Sequence, residues 1–156
     1  MRFLQRLAGM EPQDPFVAAK ADAILESTQE LFRPLNPTVN FAVGEDFESK
    51  RESMLPELSS RFADLERALL NGGGKFFMGE NPIACDFTVY HHLDISRNLD
   101  PDFLGQYSRL REFVQDIERI KSVSDYLNSR PELIDVKVDP KLLINGKAQR
   151  TGINKT

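Results

Sequence analysis

Apolar residues recur at helical spacing through most of the chain. Leu55, Leu58, Phe62, Leu65 and Leu69 alternate three and four apart. This is the stripe of a helix with one buried face, and it predicts a helix over residues 46–71. Pro56 marks either a kink or the true start of that helix. Upstream, Asp14-Pro15 pairs an N-cap acceptor with a first-turn proline. The pattern Phe16, Ala19, Ala23, Thr28, Leu31 then runs to about Arg33. Pro34 and Pro37 are expected to break or kink it. "TVNFAVG" fits a short strand or a continuation of the helix. Further helices are predicted over 83–96, over 104–120 (Tyr107, Leu110, Phe113, Val114, Ile117, Ile120) and around Val123, Tyr126 and Leu127. No segment alternates convincingly enough to predict a strand. The expected class is all-α, a helical bundle.

Composition narrows the function classes. The chain has 156 residues and 40% hydrophobic residues, enough for one self-sufficient core. A single cysteine excludes an internal disulfide and fits a reducing compartment. No run is long enough to cross a membrane as a helix. The net charge of −4 gives no case for nucleic acid as a partner. That charge is uneven: residues 136–156 carry Lys137, Lys141, Lys147, Arg150 and Lys155 against Asp139, a net of +4, leaving −8 for the remainder. The basic tail, 134–156, is expected to be mobile or to lie back on the acidic body.

Two stretches suggest chemistry, and each also has a structural explanation. "NGGGK" brings glycines next to Lys75, but no strand precedes it and no Ser or Thr follows the lysine. It is a helix stop, and not a phosphate loop. In "FFMGENPIACDFTVYHHLD", Cys85, Asp86, His91 and His92 fall close together. On a helix, Cys85 and His92 share a face but lie about 10.5 Å apart along the axis. A zinc ion holds its ligand atoms at about 2.0–2.3 Å, so the pair makes no metal site. His91 and His92 diverge by about 100°. Cys85 as a nucleophile needs a base and an oxyanion pocket. A buried apolar role suits it better, because Ile83, Ala84, Phe87, Val89, Tyr90 and Leu93 cover nearly every face of the same helix. Asp86 reads as a capping carboxylate. Asn81-Pro82 is expected to start this helix one turn early, with Asn81 as N-cap, because the Ile83 side chain cannot accept a hydrogen bond. Finally, "MRFLQRLAGM" has the look of a helix end stopped by Gly9.

The segment "LPELSSRFADLERALLNGGGKFFMGENPIACDFTVYHHLD" resembles the helical C-terminal domain of glutathione S-transferases, with Gly79 and Asp86 at the positions of that family's glycine and aspartate. "YSRLREFVQDIERIKSVSDYLNSRP" resembles the family's next helices, and "DPFVAAKADAILESTQEL" the domain's first helix in the sigma, alpha and pi classes. The resemblance covers about residues 1–133. It implies that 14–133 form the helical domain. Residues 1–10 would be the last helix of a thioredoxin-like domain, most of which would precede Met1. The reaction it implies is conjugation of glutathione, a co-substrate and not a bound cofactor, to small electrophiles in the cytoplasm. The activating residue would lie in the thioredoxin-like domain, so the expected set of catalytic residues in this chain is empty. The resemblance places Glu30 as the acid that meets the glutathione amino group. It places Asn40 and Phe41 near the electrophile. A homodimer, or a protein partner, would cover the face toward the thioredoxin-like domain. An interaction module of the same fold is the alternative.

Overall fold

The structure is a computed structural model and describes residues 1–42, 45–100, 102–129, 141–144 and 147–150. Six α-helices run in order: α1 (Arg2–Leu7), α2 (Pro15–Phe41), α3 (Glu45–Gly72), α4 (Ala84–Leu99), α5 (Ser108–Glu118) and α6 (Lys121–Ser129), with a 3-10 turn at Phe103–Gln106 before α5. α2 packs on both α3 and α4, while α5 packs on α3, α4 and α6. The all-α bundle expected from periodicity is the observed fold.

The helix ends follow local chemistry. Asp14 Oδ1 accepts from the amides of Phe16 (2.7 Å) and Val17 (3.1 Å), and Pro15 opens α2. α1 ends in a Schellman motif: Gly9 has φ +65°, Gly9 N–H donates to Arg6 O and Met10 N–H to Gln5 O. The stripe of α3 is buried as expected at Leu58, Phe62, Leu65 and Leu69.

Four expectations need correction. α2 continues through Pro34 and Pro37 to Phe41. Those prolines remove two main-chain donors. The burial of Leu31, Leu35 and Thr38 holds the segment helical, at 0%, 2% and 2% exposure, and Thr38 Oγ1 donates to Pro34 O at 3.2 Å. The helix expected over 104–120 divides at Tyr107, whose backbone leaves helical geometry (φ −111°, ψ 80°). Its hydroxyl is anchored on α3, bonded to Ser59 O (2.8 Å) and Ser59 Oγ (2.7 Å). Glu66 of α3 then caps α5, accepting from Arg109 N–H at 2.8 Å. Third, Asn81 is exposed and α4 begins at Ala84, without the extra turn. Fourth, the tail contains a two-stranded antiparallel ladder, β1 (Lys141–Ile144) and β2 (Lys147–Arg150), with Lys141 opposite Arg150 and Ile144 opposite Lys147. Asn145-Gly146, between the strands in sequence, is a strong short-range hairpin signal.

α4 is the centre of the core, with Cys85, Asp86, Val89, Tyr90, His92, Leu93 and Ser96 all buried. Beside it Phe113 meets Phe77 and Phe76 edge-on, at ring-centroid distances of 5.4 and 6.2 Å.

Candidate functional site

The stretch 73–86 is built around one carboxylate. Asp86 is fully buried, and it accepts from Phe77 N–H (2.9 Å) and Ile83 N–H (2.8 Å). Ile83 has no side-chain acceptor, so the amide of Asp86 itself turns back to Ile83 O at 3.0 Å. One carboxylate thus does the work predicted for Asn81: it caps α4 and pins the preceding loop. Burial pushes the Asp86 pKa up, against the pull of its two amide donors.

The glycines are needed for close approach. Phe76 and Gly79 exchange main-chain bonds of 2.8 and 3.2 Å, and Gly79 has φ +127°. A Cβ on Gly74 would fall 2.5 Å from the Gly79 carbonyl carbon. Arg109 closes the loop from α5, donating to Gly74 O (2.9 Å) and Lys75 O (2.7 Å). "NGGGK" is therefore a helix stop and turn.

The cysteine and histidines do not converge. Cys85 is buried and burial pushes its thiol pKa upward, so it is a core residue with little thiolate character. Among the described residues no group of three His, Cys, Asp or Glu side chains is arranged to hold a metal. His91 is exposed and His92 buried. His92 packs edge-on to Phe32 of α2, with centroids 6.5 Å apart. Its Nδ1 is buried without a hydrogen-bond partner among the described residues. Burial first, then neighbouring His91, lower its pKa from 6.5 to about 4. Both histidines lie mid-helix, not in the last turn where a helix dipole would favour positive charge.

A polar clamp joins α4 to α5. Arg97 Nη2 bonds Asp94 Oδ1 (2.7 Å) and Glu118 Oε1 (2.8 Å), and the Tyr90 hydroxyl donates to Glu118 at 3.2 Å. Burial and these carboxylates push the Tyr90 pKa up. Periodicity registers Tyr90 as core and gives no sign of Glu118 as its partner.

Glu30 stands on α2 and pairs with Arg61 of α3 at 2.6 Å, both side chains substantially exposed. The pair edges a groove of about 210 Å³ between the two helices, floored by Ile24, Leu31, Leu65 and Ala68. Asn40 and Phe41 form the last turn of α2; their side chains lie outside the described residues. Arg61 was not singled out by the sequence, although Glu30 and Arg61 both border helical stripes whose faces meet.

An all-α bundle with a central helix capped by a buried aspartate, fed by a glycine turn, defines the class. The family model "Glutathione S-transferase, C-terminal domain" matches residues 35–130, and the chain belongs to that family. It is similar to glutathione S-transferase 1 of Ascaris suum, 23% identical over 136 residues, which cover 84% of this chain and 66% of that protein. Rat glutathione S-transferase Mu 2 is 33% identical over 84 residues, covering 54% of this chain and 38% of its own length. The chain thus spans less than two thirds of either relative. Among solved structures, the Onchocerca volvulus pi-class glutathione S-transferase superposes with a TM-score of 0.74 at 20% identity, over 83% of this chain and 62% of that one.

Proposed function

We propose that this chain is the helical half of a glutathione S-transferase-like protein and supplies one wall of an electrophile site near the end of α2, with Asn40 and Phe41 on that wall and Glu30 toward the glutathione amino group. The observation that carries the reading is the match of residues 35–130 to the family's C-terminal domain. Thiol activation is assigned to residues outside the described set. In support, the buried Tyr90 hydroxyl is committed to Glu118 with its pKa pushed up, and Tyr107 is committed to Ser59. Both hydroxyls are engaged within the fold.

Amide chemical-shift mapping of the full chain with a dinitrobenzene electrophile tests the wall. Shifts concentrated at Asn40 and Phe41 are expected; shifts confined to other elements overturn the assignment.

An interaction module is the second reading, favoured by one feature. α1 is tied to α2 by Arg2, which pairs with Asp22 and Glu26, while Phe3, Leu4 and Leu7 are 71%, 60% and 70% exposed. Such an apolar cluster suits a protein surface. A monomer in size-exclusion chromatography that stays monomeric at high concentration argues against self-association through it.

A further inference from the structure

α1 is an amphipathic helix docked by its polar side. Arg2 and Arg6 lie four apart on one face, and Phe3, Leu4 and Leu7 share the opposite one. The Arg2 face meets α2: its Nε donates to Asp22 Oδ1 at 2.9 Å and its Nη2 to Glu26 Oε1 at 2.5 Å. The apolar face is turned to solvent. No residue of α1 is buried, and Gln5 alone is partly covered. Burial of apolar surface therefore does not hold this helix in place. Its other side-chain bonds stay within the first eleven residues: Gln5 Nε2 donates to Met10 O at 3.5 Å, and Arg6 pairs with Glu11 at 3.0 Å. These move with α1 and do not tie it to α2.

We propose that Arg2 is an electrostatic latch: it holds α1 on α2 at low ionic strength and releases it as salt rises. Asp22 and Glu26 stand four apart on α2, so their like charges oppose each other until the Arg2 guanidinium bridges them. All three side chains are half-exposed or more, at 50%, 56% and 62%. Both pairs are thus open to screening, whose range contracts from ~10 Å at ~0.1 M salt to ~3 Å at ~1 M. A helix of six residues does not persist in water without tertiary support, so release also unwinds it. The turn at Gly9 and the segment up to Asp14 join α1 to α2 and let it swing away without disturbing the Asp14 cap. The latch concerns how α1 is held, and it rests neither on the electrophile wall nor on what the apolar stripe meets.

The test follows the Cα chemical shifts of the full chain, which report helix population, from about 0.01 M to about 1 M sodium chloride. The helix-type shifts of residues 3–7 are expected to fall by about half over that range, while those of α3 hold. Arg2→Gln is expected to show the reduced helix population already at low salt and to lose the salt response. Asp22→Asn combined with Glu26→Gln is expected to do the same. Leu4→Ser, which alters only the outward stripe, is expected to keep the salt response. Helix shifts at residues 3–7 that stay level or grow with salt overturn the proposal, because apolar contact then holds α1. An Arg2→Gln chain that responds like the native one overturns it too. So does a helix population that rises with protein concentration, since a second copy then supports α1. Failure of the proposed function appears elsewhere, as absent electrophile shifts at the end of α2.

Discussion

Acidification should loosen this fold through His92 before the surface carboxylates are fully protonated. The imidazole is 5% exposed, packed on Phe32, with Nδ1 unpartnered among the described residues. Neighbouring His91 adds to burial in opposing its protonation. The native state therefore holds His92 neutral, with its pKa lowered from 6.5 to about 4. The unfolded chain takes up this proton first as pH falls. Stability from this group is complete above pH 6.5 and is lost as pH falls toward 4. That interval corresponds to about 3 kcal/mol, a large share of the 5–15 kcal/mol typical of a domain. The assay is urea unfolding from neutral pH to below pH 4, on the native chain and on His92→Leu. Asp86 runs in the opposite sense, since burial raises its pKa, but both proteins carry it and the difference removes it. The stability difference between the two proteins should shift by about 3 kcal/mol in favour of the leucine variant. A difference flat with pH, or a His92 ring that titrates near 6.5 by NMR, refutes the reasoning.

Other substitutions probe the framework. Asp86→Ala strands the Phe77 and Ile83 amides and should cost about 1–3 kcal/mol for each, read as a lower urea midpoint; a change near zero would remove Asp86 from its place as organiser of the loop. Gly74→Ala drives a Cβ to 2.5 Å from the Gly79 carbonyl carbon and should cost about 1–3 kcal/mol in thermal unfolding, whereas Gly105→Ala, with open space around it, should cost far less. Glu66→Ala removes the α5 cap and should cost about 0.5–2 kcal/mol, with faster amide exchange at Arg109 as its specific signature.

Periodic features were legible in the sequence because the physics behind them is local. The stripe of α3 needs only side chains three and four apart, and Asp14-Pro15 and Gly9 act within one turn. What escaped depends on distant partners. The division at Tyr107 follows from two residues on another helix: Ser59, 48 residues from Tyr107, and Glu66, 43 residues from Arg109. α2 survives its two prolines because tertiary burial of Leu31, Leu35 and Thr38 outweighs a local preference worth about 3 kcal/mol per proline. Asn81 is locally the better cap, yet Asp86 wins by satisfying two amides at once, one of them nine residues back. The β1–β2 pairing was a local signal overlooked: Asn145-Gly146 is short and sits in a polar tail. For the candidate site, family resemblance singled out Glu30. Its partner Arg61 emerges only when α2 and α3 are packed together.

Under the proposed function, this chain supplies a structural share of a glutathione-conjugating site, and thiol activation rests with other residues. The most direct measurement is the rate of glutathione–dinitrobenzene conjugation with the folded 156-residue chain as the only protein. The account predicts the uncatalysed rate. Turnover well above it, proportional to the amount of chain and abolished by unfolding, would contradict the assignment.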